Sequence, residues 1–327
     1  MTNTYEGVRV LITGGLGFIG STLAHALVRA GARVTLVDGL IPRHGGNLHN
    51  IRGIEDRVAV HIADVRDESG MERFLRGQEV MFNLAGQTSH MDSMSDPRTD
   101  MEINCGAQLS ILEACRRVND RIKIVFASTR QVYGRPEYLP VDERHPVRPV
   151  DVNGINKMAG ESYHVLYHRV YGIRTCVLRL TNTYGPRMRI KDDRQTFLGI
   201  WIRSVLEGRP FEVWGGEQRR DLNFVDDAVD ALLAAAERAE ADGGIFNLGA
   251  SPPITLQELA EALVAENGSG TAVVRPFPPE RKAIDIGDYY SDYRLFSAAT
   301  GWRPKIGLRD GLARTLEYFR ANLEKYL

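Results

Sequence analysis

The chain has 327 residues, 43% hydrophobic and 25% charged, which is enough for two modest domains or one core with a smaller lobe. Forty-one basic against forty-two acidic residues leave a formal charge of −1, which excludes a global attraction to nucleic acid or to a membrane surface. No apolar run approaches the ~20 residues of a membrane span, and the polar start is too short for a signal peptide before the first strand.

In chain order, "VRVLIT" (8–13) is a β-branched apolar run that predicts a buried strand. "ARVTLVD" (32–38), "VAVHIAD" (58–64), "VMFNLAG" (80–86) and "IKIVFAS" (122–128) repeat it. Amphipathic stretches such as "FIGSTLAHALVRAG" and "NCGAQLSILEACRRV" lie between them. Continuous apolar strands alternating with helices predict an α/β fold, a doubly wound parallel sheet of Rossmann type covered on both faces. The ligand crevice then lies at the carboxyl ends of the strands. After "IRTCVLRLTNTYGP" (173–186) the rhythm loosens. Helix "TFLGIWIRSVLEG", strands "FEVWG" and "GIFNLGA", and helix "TLQELAEALVAE" with a Thr255/Glu258 capping box predict a smaller C-terminal α/β lobe. The division expected is a cofactor domain over 1–180, with a return around 220–250, and a substrate lobe over 181–327.

The turn "TGGLGFIG" (13–20) follows the first strand and opens a helix, with Gly14, Gly17 and Gly20 at its corners. The first glycine permits the tight turn and the second lets backbone amides approach a pyrophosphate. The third lets the helix pack close to the sheet, while the helix N-terminus favours the phosphate charge. Phe18 and Ile19 belong to the same cofactor-binding set. Asp38, ending the second strand, accepts hydrogen bonds from an adenosine ribose and repels a 2′-phosphate, so the cofactor expected is NAD. Arg43, a further candidate contact, argues for NADP instead. Asp64 and Val65 end the third strand beside the adenine, with helix N-capping an equal role for Asp64. Leu84, Ala85 and Gly86 line the cofactor cleft.

The segments "TGGLGFIG", "NLAGQTS", "INCGAQLSILEAC", "ASTRQVYG", "NGINKMAGE", "LRLTNTYGPR", "RRDLNFVDDAVDAL", "FNLGA" and "SDYRLFSAATGWRPKIGLRDGLARTLEYF" follow one another over nearly the whole chain. Together they resemble the extended short-chain dehydrogenase/reductases, specifically the nucleotide-sugar epimerase/dehydratase family. In that family a Ser or Thr, a Tyr and a Lys act together. The Lys holds the nicotinamide ribose and lowers the tyrosine pKa, the Tyr takes a proton from a sugar hydroxyl as hydride leaves, and the Ser/Thr orients the same oxygen. The resemblance assigns Thr129 to the Ser/Thr place and Lys157 to the Lys place, and Asn104 joins the cofactor contacts. Asn153 stands at the tyrosine place, four residues before Lys157 on one helix face. An amide hydrogen-bonds a sugar but does not act as a general base near neutral pH. The replacement base is left among Tyr133, Tyr163, His90, His145 and a water on Lys157, with Tyr133 otherwise a packing residue of this motif.

Arg130 and Gln131 stand where the 4,6-dehydratases carry the acidic pair that eliminates water, so that reaction is not expected. Arg130 reads equally as the bidentate partner of a substrate carboxylate, implying a uronic-acid nucleotide, and as half of a structural ion pair. The resemblance puts Asn182 and Arg220 at the sugar-nucleotide diphosphate and Arg281 at a further phosphate or nucleoside contact. Thr88, Gln195, Thr196 and Phe197 border the sugar and nucleotide. Asp221, Asp226 and Asp227 read as helix caps and supports for Arg220, and Trp201, Trp214 and Trp302 as core.

The eight histidines lack ligand spacing, so no catalytic metal is expected. Cys105, Cys115 and Cys176 read as buried, reduced thiols, which fits a cytoplasmic protein. In the family, helices matching 104–118 and 152–171 pair across a two-fold axis, which implies a homodimer through a four-helix bundle. The reading is a cytoplasmic NAD-dependent nucleotide-sugar epimerase working through a ketosugar. A dehydratase or net oxidoreductase, and a regulator that binds NAD and sugar nucleotide without turnover, are the alternatives.

Overall fold

Apolar runs too continuous to expose one face to water end up as central strands of a sheet covered on both sides. The strands are β1 (Arg9–Thr13), β2 (Arg33–Asp38), β3 (Val58–Ile62), β4 (Val80–Asn83), β5 (Lys123–Thr129), β6 (Arg174–Leu180), β7 (Asn182–Tyr184), β8 (Phe211–Trp214), β9 (Arg219–Arg220), β10 (Leu222–Phe224), β11 (Ile245–Asn247), β12 (Ile254–Thr255) and β13 (Ala272–Arg275). Seven of them form one parallel sheet in the order β11-β6-β5-β4-β1-β2-β3. In β5 every residue but Thr129 is buried, whereas the edge strand β3 leaves Ile62 57% exposed. This computed structural model describes residues 4–42, 44–192, 194, 196–250, 252–279 and 285–327. Arg43, Gln195 and Arg281 lie outside the described residues.

The helices needed below are α1 (Phe18–Arg29), α2 (Glu68–Leu75), α3 (His90–Ser95), α4 (Pro97–Met101), α5 (Ala107–Val118), α6 (Val152–Tyr171), α7 (Phe197–Leu206), α8 (Val225–Glu237) and α9 (Leu256–Asn267). α1 and α8 pack one face of the sheet through Leu23, Leu27, Val229 and Leu232, while α2 and α5 cover the other through Met71, Leu75, Ile111 and Leu112. A separate core holds α7, α9 and the helix Leu308–Asn322, together with the parallel pair β8·β13. The capping box of α9 is present, with Glu258 N donating to Thr255 Oγ1 at 3.1 Å and Thr255 N donating to Glu258 Oε2 at 2.9 Å.

Two details differ from the sequence expectation. "GIFNLGA", read among the strands of the smaller lobe although it falls inside the return expected around 220–250, joins the main sheet: Ile245, Phe246 and Asn247 pair with Val177, Leu178 and Arg179 of β6. Cys115 and Cys176 are buried, but Cys105 is only partly so; all three thiols are free.

Candidate active site

The cofactor end is built by the turn between β1 and α1. Gly14 has φ +67, and a Cβ there would sit 3.0 Å from Ala85 N, so only glycine suits this corner. A Cβ on Gly20 would overlap the Gly14 carbonyl, which is how the helix sits so close to the turn. α1 starts from Gly17 with no side-chain cap and no acidic residue in its first turn, leaving its amides, including those of Phe18 and Ile19, open to an anion. Thr13 Oγ1 donates to Asn83 Oδ1 at 2.8 Å and accepts from Leu84 N and Ala85 N at 3.2 Å, which draws the exit of β4 beside the glycine turn.

Asp38 stands on the cleft wall, its carboxylate accepting from Leu16 N at 3.0 Å and Leu40 N at 2.9 Å. Burial raises its pKa, and those two donors oppose the rise. Asp64 and Val65 line the same wall. Asp64 does not cap α2; Asp67 does, accepting from Gly70 N at 3.1 Å, while Asp64 pairs with Arg66 at 2.7 Å. Asn104 lies in a single π-helical turn, Glu102–Gly106, a local expansion that often accompanies function. Its Nδ2 donates to Gln87 O at 2.9 Å, and its buried Oδ1 has no partner among the described residues. A Cβ on Gly86 would come within 2.9 Å of that oxygen and 3.0 Å of Lys157 Nζ. A glycine cradle, an acid at the ribose end and an orphan acceptor beside a lysine fit NAD.

The reacting end follows along β5. Thr129 closes the strand, its Oγ1 accepting from Gln131 N at 3.2 Å. Lys157 Nζ donates to Ala127 O at 3.0 Å and lies 4.8 Å above the Phe126 ring. Burial pulls its pKa down to about 8, opposed by the charges of Asp100 and Glu161. One turn earlier on α6, Asn153 Nδ2 donates to Gln87 O at 2.8 Å and Asp100 Oδ2 at 3.2 Å. Both amide hydrogens are thereby engaged, so the group Asn153 has left for a ligand is its Oδ1 acceptor. Asp100 is fully buried and also accepts from Asn156 Nδ2 at 2.8 Å. Gln87, Asp100 and Asn156 were not anticipated, because one polar residue in the loop after β4 and two on short or amphipathic helices carry no signal until the fold brings them together.

The candidate bases now separate. Tyr133, at the end of the turn after β5, is fully buried and is not among the residues lining either cavity, which favours its packing role over its reading as a catalytic residue. Its hydroxyl donates to Asn247 Oδ1 at 2.8 Å and accepts from Arg179 Nη1 at 2.7 Å, and burial pushes its pKa up to about 12. His145 has both ring nitrogens engaged, at 2.8 Å from Glu137 N and 2.8 Å from Pro146 O. Tyr163 faces Cys105. His90 opens on the cleft.

A second cavity, of about 820 Å³, continues from the cofactor cleft and suits a ligand the size of a sugar nucleotide. His90, Arg130, Asn182 and Thr196 belong to both spaces, while Thr88 lines the cofactor side alone. Arg130 Nη2 donates to Asn182 Oδ1 at 3.0 Å, and its guanidinium lies 5.3 Å from the Tyr289 ring centroid. Among the described residues no carboxylate comes within 4.0 Å of it to form the ion pair considered; burial lowers its pKa, opposed by the more distant charges of Asp221, Asp285 and Asp151. Asn182 Nδ2 is buried without a partner among the described residues. Arg220 donates to Gly287 O and pairs with Asp285 at 3.3 Å; burial, then the charge of Arg130, lowers it to about 10.

Arg220 is thus held by Asp285, not by the three acids expected to support it. Asp221 binds Thr181 and Ser291 N, Asp227 binds Lys305 N and Ile306 N at 2.9 Å, and α8 has no side-chain cap. Thr196 caps α7, accepting from Leu198 N at 3.3 Å. Trp302 is core; Trp201 is buried but also walls the second cavity, with Trp214, Phe197 and Phe277.

Residues 10–249 match the family described as NAD dependent epimerase/dehydratase. A UDP-glucose 4-epimerase of Mycolicibacterium smegmatis is 33% identical over 319 residues, which span 96% of this chain and 99% of that protein. The structure of UDP-glucose 4-epimerase from Thermotoga maritima with UDP-glucose is similar at TM-score 0.88 and 32% identity, covering 97% of this chain and 100% of that one. The Thermus thermophilus UDP-glucose 4-epimerase in complex with NAD is similar at TM-score 0.84 and 32% identity, covering 96% and 99%.

Proposed function

The chain belongs to the NAD-dependent epimerase/dehydratase family, and from that premise we propose that it epimerises a nucleotide sugar through a ketosugar, on a substrate that bears a carboxylate. When bound, NAD supplies the hydride acceptor. Lys157 holds the nicotinamide ribose, and Thr129 positions the reacting hydroxyl by its own. Asn153, read as standing at the family's tyrosine place, offers that region an acceptor oxygen and no base. Asn182 and Arg220 take the diphosphate linker.

The observation that carries this reading is the junction of two cavities at His90, Arg130, Asn182 and Thr196. A cofactor cleft that opens directly into a ligand-sized space lets a sugar carbon meet the nicotinamide there. Arg130 supports an acidic sugar, because among the described residues the charges of Asp221, Asp285 and Asp151 act on its buried guanidinium only from beyond ion-pair distance, and a ligand carboxylate would supply the close anion. A 4,6-dehydratase needs an acid and a base after Thr129, and Arg130 and Gln131 provide neither. We also propose a homodimer through α5 and α6, supported by exposed Ile155, Leu166, Val170 and Tyr171 on α6. Turnover of Thr129→Ala and Lys157→Ala tests the core of the proposal: undiminished rates in both would refute these roles.

A further inference from the structure

Oxidation of a sugar hydroxyl releases a proton as well as a hydride, and Asn153 does not take it. His90 opens α3 at the junction of the two cavities. Its side chain is 37% exposed, and its Nδ1 lies 2.9 Å from Asp151 Oδ2, whose side chain is 0% exposed. That contact is close enough for an ion pair but is not aligned as a hydrogen bond, and Nδ1 has no other partner among the described residues. Asp151 is itself fixed twice more. Its Oδ1 caps α6 by accepting from Gly154 N at 2.7 Å, and its Oδ2 accepts from Gln131 Nε2 at 2.8 Å. Gln131 N in turn donates to Thr129 Oγ1 at 3.2 Å. One buried carboxylate therefore ties together the imidazole, the start of the helix bearing Asn153 and Lys157, and the turn bearing Thr129 and Arg130.

We propose that His90 is the general base of the reaction and that Asp151 is its positioning residue, holding Nδ1 so that Nε2 faces the sugar hydroxyl. This rests on the function proposed above. Nε2 takes the hydroxyl proton, the O–H electrons form the carbonyl, and the hydride leaving the carbon reduces NAD. In the return half the carbonyl carbon regains hydride on its other face and the imidazolium gives its proton to the oxygen. Besides Asp151, the N-cap of α6, the charged groups lining the second cavity with His90 are Asp92 on its own helix, Arg130 after β5, Asp192, Arg194, Arg220 and Asp285, and Lys157 lines the cofactor cleft with it; Arg194 pairs with Asp92 at 3.1 Å.

The test uses NAD-loaded protein with UDP-glucuronic acid and UDP-glucose as probes. It compares kcat/KM against pH for wild type, His90→Gln, His90→Ala with and without added imidazole, and Asp151→Asn, which keeps the cap acceptor but removes the charge. The wild type should lose rate toward acid pH, the loss that a general base imposes. His90→Gln should lose about 10²- to 10⁴-fold in kcat and lack that acid limb. Binding of UDP and NAD, followed by calorimetry, should change little. Imidazole should restore part of the rate to His90→Ala, and Asp151→Asn should lower kcat at constant KM. His90→Gln with wild-type rate and acid limb would overturn the inference alone. So would a His90→Ala loss that tracks weakened UDP or NAD binding and is unmoved by imidazole. A wild type inert toward both probes would overturn the functional reading, and the inference with it.

Discussion

Lys157→Met sets function against stability in a way that can be measured without substrate. The Lys157 ammonium is buried, and its pKa falls from 10.5 to about 8, which corresponds to about 3 kcal/mol at about 1.36 kcal/mol per pH unit. Below pH 8 both folded and unfolded chains carry the proton, so the folded state bears the whole penalty. Between pH 8 and 10.5 the folded chain releases its proton first while the unfolded chain still holds one. Stability contributed by this group therefore rises with pH through that window. Methionine removes the penalty but also the hydrogen bond to Ala127 O, worth about 1 kcal/mol. Cofactor-free Lys157→Met should then be more stable than wild type by about 2 kcal/mol at pH 7. The advantage should shrink from pH 8 upward and vanish before pH 10.5, while NAD affinity and turnover are lost. Urea denaturation at pH 7, 8, 9 and 10 gives the difference curve. A variant that is less stable by the same amount at every pH would refute the reasoning.

Arg130→Met should cost the uronate probe about 10- to 150-fold in kcat/KM, from one charge-assisted hydrogen bond of about 1.5–3 kcal/mol, while a neutral sugar nucleotide changes little. The same variant should lose under about 1 kcal/mol of stability, against the roughly 3–5 kcal/mol expected if Arg130 were half of a buried ion pair. Asp38→Ala should weaken NAD about tenfold and narrow the gap to NADP, read by titrating both cofactors. Leu166→Lys with Val170→Lys should turn a dimer into monomers in light scattering, with the fold intact by circular dichroism.

Features made by neighbouring residues were legible in the sequence. The glycine turn, Asp38 at the end of β2, the Thr255/Glu258 box and the apolar strand runs each depend on residues a few positions apart. What was not legible depends on long returns of the chain. β11 is three residues long, and although a return around 220–250 was expected, nothing local names β6 as its partner. Asp285 was missed as the partner of Arg220 because 65 residues separate them. Asp100 reads as one more helix-surface acid until α4 is laid against α6 and its carboxylate meets two asparagine amides. His90 was one of several candidate bases in the sequence. Only the packing of α3 against the start of α6 gives it a buried carboxylate and an open ring nitrogen.

The central claim, hydride abstraction from a nucleotide sugar by a site without the tyrosine, is tested most directly by mixing NAD-loaded protein with UDP-glucuronic acid, UDP-glucose and their GDP, dTDP and CDP counterparts. Near-ultraviolet absorbance follows NADH, and the recovered sugars are identified. The account predicts a changed sugar, preferentially an acidic one, with any absorbance rise confined to the same probe. Every sugar recovered unchanged, with tight binding of both ligands confirmed, would contradict it.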